Sequence, residues 1–162
     1  DLPPSPTIVL LGAGGTARPF IAAIARIPGA SIIIATRRPT AGGALECAAR
    51  FGVEARDVRL TDPELPALIE STDLVVNTIP ETGALELTEL VRPAARLVDA
   101  LYHPWPTPLG AAVLAGGGKV VGGDTMLLGQ ALGQFELFTD EAAPAEAMRL
   151  ALRNALEERS SR

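Results

Sequence analysis

The chain has 162 residues, 48% of them apolar and 20% charged, with 16 glycines and 14 prolines. That composition excludes a disordered or fibrous protein and leaves room for one domain with its own core. The net charge of −5 comes with no basic block, which argues against a nucleic-acid partner, and no apolar stretch nears the roughly 18–20 residues of a membrane span.

Asp1 to Pro6 hold three prolines and read as a linker or hinge, and the domain proper is expected over 7–162. Because Asp1 rather than Met opens it, the sequence is expected to be part of a longer or processed chain. Thr7–Leu11, an unbroken apolar run, predicts the first strand, and a helix follows near 15–27, ended by Pro28-Gly29. Ser31–Ala35 predicts the second strand and 41–51 a helix that contains Cys47, the only cysteine. A lone cysteine excludes an internal disulfide framework, fits a reducing cytoplasm and reads here as a packing residue. Val53–Val58 is the weakest strand signal. Thr61-Asp62-Pro63 reads as a cap and first-turn proline for a helix near 63–70. Asp73–Thr78, a helix near 84–91, Arg96–Leu101, a helix at 108–115 and Lys119–Val121 complete the alternation.

Runs such as "IVLL", "SIII" and "DLVVN" do not alternate polar with apolar, so both faces of those strands should be buried, as in a parallel sheet covered by helices. Six strands alternating with helices predict a doubly wound, Rossmann-like α/β fold. Two helices in succession, about 125–138 and 142–157, end the chain. In the first of these Leu127, Leu128, Ala131, Leu132 and Phe135 share a stripe expected to be core, while Met126, Gln130 and Gln134 fall on another face.

Gly12-Ala13-Gly14-Gly15-Thr16-Ala17 fits G-x-G-x-x-[GA] directly after the first strand. Gly12 suits the tight turn, Gly14 lets a pyrophosphate approach the backbone, and Ala17 lets the helix close on the strand, whose free amides favour phosphate. At the end of the second strand an NAD-preferring site carries an acid; here stand Thr36-Arg37-Arg38, whose guanidinium groups suit a 2′-phosphate, so NADP is the expected cofactor. His103 lies at the ligand end of the sheet without a recognisable carboxylate orienter and reads as a loop residue. Lys119, the only lysine, opens the sixth strand at the opposite end. The residues thus offer a cofactor site but no acid–base pair and no metal-ligand set.

Five stretches in order resemble the C-terminal, NADP-binding domain of shikimate dehydrogenases, most closely their actinobacterial branch. The family's "GAGG-x-A/S" loop is Gly12 to Ala17, its "N-R-T" clamp is Thr36 to Arg38, and its "VNTxP" turn is "VVNTIP", Val75 to Pro80. Its "D-x-x-Y-x-P-x-x-T-P-L" stretch is Asp99 to Leu109, and its "G-x-x-M-L-x-x-Q-A-x-x-Q-F" helix starts at Gly123. The clamp departs from the family at Thr36 and Arg38, and Asp124-Thr125 follows Gly123 where many relatives have Leu-Gly.

The resemblance implies NADPH-dependent reduction of 3-dehydroshikimate to shikimate, in aromatic amino-acid biosynthesis. It implies that Gly12, Ala13, Gly14, Gly15 and Thr16 hold the pyrophosphate, and that Thr36, Arg37 and Arg38 hold the adenosine phosphate. Thr78 also faces the cofactor, the backbones of Ala100 and Gly123 flank the nicotinamide, and Tyr102 and Gln130 contact the substrate. The family's catalytic Lys–Asp pair lies on an N-terminal domain that would precede residue 1, so this chain alone is expected to bind cofactor without turnover. Two other readings share these residues: the cofactor domain of a relative using quinate or a similar ring, and an NADP-binding module without redox chemistry.

Overall fold

A computed structural model describes residues 2–38 and 43–160. The elements are β1 (Thr7–Leu11), α1 (Ala17–Ile24), β2 (Ser31–Thr36), α2 (Ala44–Arg50), β3 (Glu54–Arg59), α3 (Leu65–Ser71) and β4 (Leu74–Asn77). Three short turns of helix follow, α4 (Glu81–Ala84), a 3-10 turn (Leu85–Leu87) and α5 (Thr88–Val91). Then come β5 (Arg96–Asp99), α6 (Pro108–Ala115), β6 (Lys119–Val121), α7 (Gly123–Thr139) and α8 (Ala145–Ser160).

All strand pairs are parallel, in the order β3-β2-β1-β4-β5-β6. The period-two alternation of a strand explains the two cores. Val9, Leu11, Ile33, Ala35, Val75 and Leu97 point to one face, where α3, α5 and α6 bring Ile69, Val91 and Val113. Ile8, Leu10, Ile32, Ile34 and Val76 point to the other, against Ala17 and Ile21 of α1 and Ala48 of α2. Each large apolar side chain buried this way stabilises the fold by about 1.5–3 kcal/mol before entropy is subtracted. The central strands are therefore apolar on both sides, as their unbroken runs predict. The edge strands are not: β3 buries only Val58 and β6 none of its residues.

Three expectations are corrected. The helix expected over 84–91 is broken into turns, because its buried residues Ala84, Leu87 and Val91 are spaced three and then four apart and a 3-10 turn satisfies the shorter step. Pro63 does not open α3; Pro66 occupies its first turn, and the Asp62 carboxylate instead accepts the Glu64 amide at 2.9 Å. The stripe Leu127, Leu128, Ala131, Leu132 and Phe135 is not core: Gly123 is the only buried residue of α7. Helical periodicity marks an apolar face but does not supply a partner for it, and α7 meets chiefly α8 rather than the sheet.

Candidate cofactor site

Strand order reverses at β1, whose neighbours β2 and β4 lead their chains off to opposite sides. A crevice opens at the carboxyl ends of such strands, and two turns frame it here. Gly12 leaves β1 at φ +99 with its amide on the Ala35 carbonyl at 2.9 Å. Thr78 leaves β4 with both its amide and its hydroxyl donating to the Leu11 carbonyl, at 2.9 and 2.8 Å. A Cβ at position 12 would sit 2.7 Å from the Thr78 Oγ1, so conformation and space both demand glycine there.

Gly14 is different. A Cβ there would meet nothing within 4 Å and its φ is not positive. The protein's own packing does not require glycine at 14, and the open ground above it is where a ligand backbone-close approach would occur. Ala17, fully buried, packs α1 against the sheet. The N-cap of α1, Thr16, makes no side-chain cap bond and no acid occupies the first turn, which leaves the positive end of the helix dipole uncompensated by the chain.

Gly12, Ala13, Gly14, Thr36, Arg37, Arg38 and Thr78 line one cleft of about 440 Å³, together with Leu60, Ile79, Pro80 and Gly83. Its apolar wall and exposed guanidinium groups, the Thr36 hydroxyl being turned onto the Arg38 carbonyl, suit a flat ring beside a phosphate. Gly15 and Thr16 lie on the exposed loop into α1, outside that lining. Ala100 and Gly123 come together further along the strand ends: a Cβ on Gly123 would overlap the Ala100 carbonyl, and the Gly123 amide donates to the Leu101 carbonyl at 3.0 Å.

Tyr102 lies elsewhere, in a second cleft of about 610 Å³ with His103, Trp105, Thr125 and Arg153. Gln130 is exposed further along α7 and does not line it. Of the two residues implied for substrate, only Tyr102 therefore lines this cleft. Lys119 is exposed at the start of β6, at the far end of the sheet. Among the described residues no group of three or more His, Cys, Asp or Glu side chains could hold a metal, and no helix is long and apolar enough to cross a membrane.

Sequence reasoning singled out the turn after β4 and the loop after β5 without finding what ties them together. Asn77, Asp99 and Thr107 are buried polar residues at those strand ends and hydrogen-bond to one another. Their signal is a polar residue closing each apolar run, "VVN" and "LVD", where both strand faces are otherwise filled with aliphatic side chains.

A model of the saccharopine dehydrogenase NADP binding domain family matches residues 8–114, and one of the shikimate 5′-dehydrogenase C-terminal domain family matches 125–153. The shikimate dehydrogenase (NADP(+)) of Geobacter metallireducens is 34% identical over 157 residues, which is 91% of this chain and 54% of that protein. The chain thus spans about half the length of the curated relatives it matches. Among solved structures, a shikimate 5-dehydrogenase from Mycobacterium fortuitum superimposes with a TM-score of 0.84 at 37% identity, covering 90% of this chain and 55% of that one. Shikimate dehydrogenase from Mycobacterium tuberculosis gives 0.85 at 36%, covering 91% and 56%. The chain therefore belongs to the saccharopine dehydrogenase NADP binding domain family, and its likeness to the cofactor-binding portion of shikimate dehydrogenases runs along nearly its whole length.

Proposed function

We propose that this chain is the NADP(H)-binding portion of a shikimate dehydrogenase, an oxidoreductase that reduces the ketone of 3-dehydroshikimate. The observation that carries the reading is the single cleft that gathers Gly12, Gly14, Thr36, Arg37, Arg38 and Thr78. Gly12, Ala13, Gly14, Gly15 and Thr16 would receive the pyrophosphate on backbone amides and the helix dipole. Thr36, Arg37 and Arg38 would hold the 2′-phosphate, and the backbones of Ala100 and Gly123 would flank the nicotinamide. Bound there, NADPH supplies the hydride for reduction.

Tyr102 and Gln130 are the proposed substrate contacts. Only Tyr102 lines the second cleft, which fits a substrate site completed by residues beyond these 162 that would also supply the Lys–Asp pair. Lys119, the only lysine of the sequence, lies at the start of β6, at the opposite end of the sheet. Residues 1–6 would then be the hinge and 7–162 the cofactor domain. The chain alone would bind cofactor and not turn over, and a cytoplasmic setting would suit both the free Cys47 and a biosynthetic role.

Calorimetric titration of the 162-residue chain with NADP and, separately, NAD at fixed ionic strength tests this. One-to-one binding with NADP favoured is expected. A chain that circular dichroism shows to be folded, yet that binds neither, would refute the reading.

A further inference from the structure

The ends of β4 and β5 are joined by a buried polar relay. The Asp99 Oδ1 accepts from the Asn77 Nδ2 at 2.8 Å and from the Leu101 amide at 3.1 Å, while its Oδ2 accepts from the Thr107 hydroxyl at 2.5 Å. Asn77 carries the relay onward, its Oδ1 accepting the Ile79 amide at 3.0 Å. Thr107 carries it the other way, its Oγ1 accepting the Gly110 amide at 3.0 Å as the N-cap of α6. Among the described residues no buried side-chain nitrogen or oxygen lacks a partner.

Stability alone does not call for such a relay. At the same level of the sheet β1 carries Leu11 and β2 Ala35, opposite Asn77 and Asp99 in register. Burying polar groups offsets most of what their hydrogen bonds contribute, so the relay adds little net stability over an aliphatic core. What the relay adds is direction. Hydrogen bonds fix distance and angle between two turns, whereas aliphatic packing leaves them room to shift. On one side is the Thr78–Ile79 turn, which lines the cofactor cleft; on the other is the loop that carries Ala100, against Gly123, and Tyr102.

We infer that Asp99 is a positioning residue, which through Asn77 and through Leu101 and Thr107 holds the Thr78–Ile79 turn and the Ala100–Tyr102 loop at the separation a dinucleotide requires. The inference rests on the NADP reading above. Its content is that the two halves of the cofactor depend on Asp99 unequally. The adenine half lies on the Gly12 and Thr36–Arg38 side, beside a turn that Thr78 also ties to the Leu11 carbonyl independently of Asp99. The nicotinamide half needs the loop.

The test titrates wild type and Asp99→Asn with NADP+ and with 2′,5′-ADP, the adenine half alone, and records the nicotinamide fluorescence of bound NADPH. Asp99→Asn is expected to bind 2′,5′-ADP within about twofold of wild type and NADP+ about tenfold more weakly, the scale of one lost hydrogen bond. The fluorescence of bound NADPH should move towards that of free NADPH. Thr107→Val, which removes the donor to Oδ2, is expected to repeat the pattern, and Thr107→Ser to restore wild-type behaviour. These two decide the matter even if Asp99→Asn does not fold. Loss of both ligands in parallel with a fall in melting temperature, or unchanged NADP+ binding in all variants, overturns the inference and leaves the NADP reading standing. A folded wild type that binds neither ligand overturns that reading and the inference with it.

Discussion

The sheet body, β1 through β6, and the helical pair α7–α8 treat apolar side chains in opposite ways. In the body Ile8, Leu10, Ile34 and Val75 are sealed between sheet and helices, at 0% exposure. In the pair Leu137 and Phe138 are each 81% exposed, Leu150 is more than half exposed, and no residue of the apolar stripe of α7 is fully buried. The helices of the body are short and each lays its apolar residues onto strands already paired. The longest helix, α7, meets chiefly another exposed helix. An apolar stripe stabilises only through the surface that covers it, so length and periodicity say little about where the stability of this chain resides. It resides in the sheet.

Substitutions in the two regions should therefore separate widely. Ile34→Ala, in a sealed site, is expected to cost about 2–5 kcal/mol in denaturant unfolding; a cost below 1 kcal/mol would mean that the body is not the close-packed half. Gly12→Ala, on the rim of the body, is expected to cost about 1–3 kcal/mol, since the new Cβ meets the Thr78 hydroxyl in a left-handed backbone conformation. Arg37→Ala with Arg38→Ala should leave the melting temperature where it was and lower NADP affinity roughly tenfold or more, with NAD unaffected. Unchanged NADP binding would remove the clamp from the proposal. In the helical pair, Leu137→Ala is expected to shift stability by no more than about 0.5 kcal/mol, and amide exchange over α7 and α8 should run ahead of that over β1 and β4. A slowly exchanging α7 would contradict the contrast.

The smallest effect belongs to Glu89, whose carboxyl is held below the usual range by hydrogen bonds from Arg92 at 2.6 and 3.1 Å and by that cation's charge. A depressed carboxyl contributes stability above its unfolded pKa and loses it as pH falls through the folded value. The pair is exposed, so Glu89→Gln should leave thermal melts at neutral and acidic pH superimposable on wild type within error.

Much of this is legible in the amino-acid sequence. β1 falls on the residues that its apolar run predicts, and β2, β4 and β5 differ by no more than a residue or two at their ends, because a strand buried on both faces is mostly aliphatic. β6 also falls where predicted, although as an edge strand it buries none of its residues. Gly12 and Ala17 were legible for the same reason, one fixed by a turn and the other by close packing. The broken helix at 81–91 was not, since a stripe at spacings of three and four reads alike for one helix or several turns. The relay through Asn77, Asp99 and Thr107 stayed hidden because its members are 22 and eight residues apart, and only the parallel register of β4 and β5 brings them together. That Tyr102 lines the second cleft while Gln130 does not likewise depends on how α7 leaves the sheet, which no local pattern encodes.

The glycines at positions 12 and 14 of the motif answer to different judges. A selection for folded, soluble variants would reject substitutions at position 12, where the chain itself occupies the space. The same selection would be blind at position 14, where an alanine touches nothing and could even raise the yield by stiffening the unfolded chain. Libraries of this protein sorted by expression alone would thus drift at 14 while holding 12, and would lose whatever the open ground above Gly14 was kept clear to admit.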